Sequence, residues 1–65
     1  MIMTFVELTG VDGDSMMLNV EDITCIEEDG EKAIITAGGR VFHIKEDYFT
    51  ARRVIFNTLH FKGKL

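Results

Sequence analysis

Sixty-five residues make a single domain over 1–65, and with 46% hydrophobic and 28% charged residues the composition is that of a globular chain, not of a disordered tail. A chain of this size buries only about 60% of its unfolded surface, so a lone monomer has marginal stability and self-association is an ordinary remedy. The net charge of −4 argues against general nucleic-acid affinity, which rests on neutralising phosphates.

The start, Met1-Ile2-Met3-Thr4-Phe5, lacks a basic leader region and soon meets Glu7. No apolar run approaches the ~20 residues that a membrane helix needs. A soluble, cytoplasmic protein without membrane insertion is the expectation. The period-2 pattern over 2–9 predicts a first strand, with Ile2, Thr4, Val6 and Leu8 on one face and Met3, Phe5, Glu7 and Thr9 on the other. Gly10-Val11-Asp12-Gly13-Asp14-Ser15 then reverses the chain, because glycine and aspartate suit turns. Asp12-Gly13-Asp14 invites a calcium reading. An EF-hand loop, however, needs an oxygen ligand at its fifth position, where Met16 sits, and a bidentate Glu at its twelfth, where Ile23 sits.

Residues 15–19 form the second strand of a hairpin, with Met16, Leu18 and Val20 alternating. Asn19-Val20-Glu21-Asp22 interrupts it: asparagine is a favoured N-cap, and acids in the first turn suit the helix dipole. One short helical turn is predicted, placed so that Ile23 and Ile26 both reach the core, with a third strand over 23–28. Cys25 is the only cysteine, so neither an intramolecular disulfide nor a cysteine-based zinc site can form within one chain, and a reducing compartment fits best. With no base near it in sequence, Cys25 reads as a small packed side chain and not as a nucleophile.

Asp29-Gly30 predicts a second hairpin turn, leading to a fourth strand over 33–36. Gly38-Gly39 suits a primed turn and leads to a fifth over 40–45. It does not match a phosphate-binding loop, since no Gly-Lys-Ser/Thr follows and the turn enters a strand. His43 and His60 are the only histidines. His43 alternates with Phe42 and Ile44 as a half-exposed sheet residue, and short strands joined by tight turns leave no long loop on which an active site is usually assembled. No catalytic residue, cofactor or metal site is expected.

Asp47 is a good N-cap, and over 47–60 the pattern turns helical. At about 100° per residue, Tyr48, Ala51, Val54, Ile55 and Leu59 share one face, assigned to the sheet. Phe49 and Phe56 lie roughly 100° away from it, bordered by Arg52, Arg53 and His60. Two readings stand side by side: the sheet curls round and covers these rings, or Phe49, Arg52, Arg53, Phe56 and His60 form a partner interface, since large apolar residues rimmed by arginine typify interface anchors. Residues from Phe61 onward read as a fraying terminus. Charge is divided along the chain: residues 1–39 hold one Lys against nine acids, and 40–65 hold six basic residues against two acids. Opposite poles of this kind suit head-to-tail association.

The fold class these elements predict is α+β: a small antiparallel five-stranded β-meander, strongly twisted or barrel-like, with one C-terminal α-helix. Leu8-Thr9, Leu18-Asn19 with Ile23 and Ile26-Glu27, Ile34-Ile35-Thr36, Gly38-Gly39, Phe42 with Ile44-Lys45-Glu46, and Val54-Ile55 together resemble the small FlbD-like family of bacterial flagellar-operon proteins, a pattern also seen in small bacterial and phage proteins. The match covers residues 5–56. The resemblance implies no enzyme activity, no cofactor and a role in protein association. The functional expectation is therefore a non-enzymatic interaction module, a homo-oligomer with a further protein partner. The alternative is a nucleic-acid or nucleotide-binding module that stacks bases on Phe49 and Phe56 and contacts phosphates through Arg52, Arg53, Lys62 and Lys64.

Overall fold

The computed structural model describes residues 4–63, with side chains through Thr58. Two β-strands, β1 (Phe5–Thr9) and β2 (Ser15–Asn19), pair antiparallel with Val6 opposite Leu18 and Leu8 opposite Met16. Their alternation buries Val6, Leu8 and Leu18. Of the expected strand over 2–9, Ile2 and Met3 lie outside the described residues and Thr4 precedes the pairing. In the turn the Asp12 carboxylate oxygen accepts from the Asp14 N–H at 3.1 Å, an Asx turn of the kind that makes aspartate a turn residue.

A 3-10 turn, Val20–Asp22, follows. The Asn19 side-chain oxygen accepts from the Glu21 N–H at 3.1 Å, which is the expected cap, and Val20 is buried. Three strands then form a second antiparallel sheet in the order β3 (Ile23–Asp29), β4 (Lys32–Ala37) and β5 (Arg40–Ile44). The β3–β4 turn has Gly30 and Glu31 at its centre, with Asp29 still paired to Lys32. Gly30 has φ 62°, while Gly38 and Gly39 between β4 and β5 have φ 58° and 78°. The first of these suits a type II′ turn and the second pair a type I′ turn, both matched to strand twist.

The expected single five-stranded meander, strongly twisted or barrel-like, is not what forms: the sheets are not closed into a barrel. The five strands divide into a two-stranded and a three-stranded sheet, and β2 and β3 do not pair, because the capped 3-10 turn swings the chain out of the β2 line. The Asp22 carbonyl accepts instead from Gly38 N–H, at 3.0 Å. The sheets meet at one corner: Gly10 bridges to Ile44, the Lys45 N–H donates to the Thr9 carbonyl at 2.8 Å, and the Val11 N–H donates to the His43 carbonyl at 3.2 Å. Gly10 is required there, since a Cβ on it would sit 2.9 Å from the Asp12 Oδ1 and 3.2 Å from the Met16 Cε.

The helix α1 (Tyr48–Gly63) closes the core. Asp47 caps it, its Oδ1 accepting from the Thr50 N–H at 2.7 Å. The helix continues through Phe61 and Lys62 to Gly63, past the expected fraying point. Ala51 and Ile55 pack into a core with Ala33, Ile35 and Ile44 from the second sheet and with the buried residues of the first. Tyr48 and Val54 are half-buried on the same face, and Leu59 falls outside the described side chains.

Candidate functional site

Helical spacing puts Phe49, Arg52, Arg53 and Phe56 at i, i+3, i+4 and i+7, a single stripe about 10 Å long at 1.5 Å per residue. The face that carries Ala51 and Ile55 is consumed by the sheets, and this stripe is left outside. Phe49 is 65% exposed and Phe56 55%, and both arginines are exposed. The sheets therefore do not curl over the rings, because the three-stranded sheet ends at β3 and nothing among the described residues continues it around the helix. The stripe is ordered internally. The Arg52 guanidinium carbon lies 5.3 Å from the Phe56 ring centroid, within cation–π range. Tyr48 and Phe49 meet edge to face, with centroids 5.3 Å apart and planes at 81°. The fifth expected member, His60, lies on α1 with its side chain outside the described residues.

Asp47, at the head of the helix, is held below the ordinary carboxylate range, first by a hydrogen bond from the Thr50 side chain, then by the Thr50 N–H and by the positive charge of Arg53, while slight desolvation opposes them.

Phe56 and Arg52 also form one wall of a groove of about 330 Å³ between α1 and β3, whose opposite wall is Ile23, Thr24 and Ile26. The pattern of β3 alone does not reveal this groove, because a register shift between Ile23 and Cys25 breaks its alternation. Ile23 and Ile26, expected in the core, are half-buried and packed against it. The bulge also overturns the packed reading of Cys25. Cys25 pairs with Thr36, whose neighbours Ile35 and Ala37 point inward, so its thiol lies on the outer face and is exposed.

A second groove, of about 490 Å³, opens between β2 and the β4–β5 turn, lined among others by Phe5, Met17, Arg40 and Phe42. Arg40 sits 5.3 Å from the Phe42 centroid, an aromatic–arginine pair missed by attention to the helix alone. His43 is exposed on β5. Among the described residues no three His, Cys, Asp or Glu side chains gather in a way that could hold a metal ion, and no helix is long and apolar enough to cross a membrane.

The fold and this surface define a small α+β domain that presents an uncovered aromatic and basic helix face. No protein-family model, no curated protein and no solved structure matches the chain.

Proposed function

We propose that this chain is a non-enzymatic protein-interaction module that self-associates through the Phe49–Phe56 face of α1. The observation that carries the reading is the pair of phenylalanines, each more than half exposed on one stripe, in a domain small enough to gain from a partner. A phenylalanine carries roughly 200 Å² of surface, so the two rings leave on the order of 240 Å² per protomer for a partner. At about 25 cal/mol per Å² that burial contributes roughly 6 kcal/mol per protomer. Association costs about 4–15 kcal/mol, so the complex is weak and depends on concentration. The resemblance to the FlbD-like family supports an accessory role, without enzyme activity, in a flagellar or phage assembly.

Replacing Phe49 and Phe56 together with serine tests the proposal. The expected result is a native spectrum with loss of the concentration-dependent mass in light scattering. A wild-type chain that stays monomeric at all concentrations, or a variant of unchanged mass, overturns it. The exposed rings beside Arg52 and Arg53 also suit base stacking and phosphate contact. Salt-dependent binding of a single-stranded oligonucleotide that the same double variant abolishes would favour that second reading.

A further inference from the structure

The three-stranded sheet ends in an open edge. β3 pairs with β4 on one side only, so alternate backbone N–H and C=O groups on its other side face solvent. Such an edge is a template for another strand. The bulge at Thr24, whose hydroxyl is turned to the Thr36 carbonyl at 3.3 Å, closes the N-terminal end of this template. Cys25–Asp29 remain, about 16 Å of regular edge at 3.3 Å per residue.

Two features define what can pair there. The first is the groove beside the edge, with Ile23 and Ile26 on one wall and Tyr48, Ile55 and Phe56 on the other. A strand added to β3 sends every second side chain into this groove, because it inherits the face of Ile26, which pairs with the buried Ile35. The second is charge. Glu27 and Asp29 stand on the opposite face, opposite Ile34 and Lys32, while Glu28 lies opposite Ala33 at the end of the groove face. All three acids are exposed, and β3 holds no basic residue.

Charge disfavours a second copy of β3. An antiparallel pair that uses the whole Cys25–Asp29 edge is centred on Glu27 and sets that carboxylate directly across from its own copy. A parallel pair would set each acid beside its own copy. Like charges directly across a sheet are destabilising. We infer that the Cys25–Asp29 edge and the adjoining groove form a strand-addition site for an extended segment of another protein in which apolar and basic residues alternate. The apolar side chains fill the groove against Ile26, Ile55 and Phe56, and the basic ones lie beside Glu27 and Asp29. Backbone hydrogen bonds supply affinity and the alternate side chains supply selectivity, as in other strand-addition sites. This inference does not rest on self-association: the groove shares Arg52 and Phe56 with the proposed self-association face, while Phe49 lies outside it.

The test is a titration of the isotopically labelled protein with a six-residue peptide alternating valine and lysine, and with its valine–glutamate counterpart, followed by amide NMR. The expected result is that only the lysine peptide binds, shifting and protecting the Ile26–Asp29 amides, with affinity falling as salt rises. E27K/D29K should lower the affinity for the lysine peptide roughly tenfold and favour the glutamate peptide. E27Q/D29Q should lower it by less, and both variants should keep the wild-type amide pattern away from β3. The proposal is overturned by equal binding of both peptides, by no binding, or by shifts confined to the Phe49–Arg53 turn. It is equally overturned if the β3 amides respond to protein concentration with no peptide present, since a second copy then occupies the edge.

Discussion

The corner that joins the two sheets depends on one carboxylate. β5 ends at Ile44, and beyond it the Thr9 N–H has no strand to meet. It donates instead to both carboxylate oxygens of Glu46, each at 3.0 Å, while the Thr9 carbonyl accepts from Lys45 N–H at 2.8 Å. The Glu46 side chain thus continues a ladder that the backbone has left. Hydrogen bonds to charged groups contribute about 1.5–3 kcal/mol, and a stranded buried donor costs about 1–3 kcal/mol. Because this contact is only partly buried, water would satisfy some of the freed N–H, and Glu46→Ala should destabilise by about 1–2 kcal/mol. That is a large share of the roughly 3–10 kcal/mol expected for a 65-residue domain, and corresponds to a melting temperature lower by about 4–8 °C per kcal/mol. Glu46→Gln keeps one acceptor oxygen and should lose about half as much. Urea unfolding gives the magnitude, and hydrogen exchange at the Thr9 amide gives the cause, since Glu46→Ala should release that amide well before the neighbouring β1 amides. If the Thr9 amide exchanges equally in wild type and Glu46→Ala, the carboxylate is not what holds the corner, and the account of how the sheets join fails.

The helix cap and the lone thiol provide two further tests. Asp47 has a lowered folded pKa, so its contribution to stability is present above the unfolded value, near pH 4, and is lost as pH falls through the folded value. Asp47→Asn keeps a capping oxygen, so it should flatten the pH dependence of stability across that window while preserving the helix, as read by acid titration of the far-ultraviolet circular dichroism; an unchanged acid profile would refute the assignment. Cys25 is exposed on the outer face of β3, so iodoacetamide should alkylate it under native conditions at close to the rate seen in denaturant. Strong native protection, followed by mass spectrometry, would mean that the bulge does not turn the thiol outward.

Local chemistry was legible in the sequence wherever a residue acts on its near neighbours. Asn19 and Asp47 cap their helices because each side chain reaches a backbone N–H two or three residues on. Gly38 and Gly39 mark their turn because both adopt positive φ. The stripe of Phe49, Arg52, Arg53 and Phe56 follows from helical spacing alone. What was hidden depends on distant pairing. The Gly10–Ile44 bridge joins the two sheets, and no local pattern near either residue announces the other. The bulge between Ile23 and Cys25 shifts the side-chain alternation within a run that reads as a continuous strand, so the exposure of Cys25 is not visible in the sequence. Whether the phenylalanines are covered depends on where the second sheet stops, which helical periodicity does not encode. Lys45-Glu46 acquires a physical reason at the corner: the Lys45 N–H donates to the Thr9 carbonyl and the Glu46 carboxylate accepts from the Thr9 N–H.

Dividing the sheet creates open edges at β2 and β3, and an open edge in a small domain invites uncontrolled pairing. The two are guarded differently. β2 is five residues long and carries no charge, so its protection is shortness and the tilt imposed by the capped turn that follows it. β3 is the longest strand and carries the acidic run Glu27-Glu28-Asp29. Those charges disfavour copies of the same edge wherever acid would lie across from acid, and in the proposed strand addition they would favour a basic strand. In the proposed self-association, Arg52 and Arg53 beside the rings would offer opposite charge to the acidic strands of another copy. The uneven charge distribution, −8 over residues 1–39 and +4 over 40–65, thus gives the two proposed contacts opposite electrostatics, acidic at the β3 edge and basic on the helix.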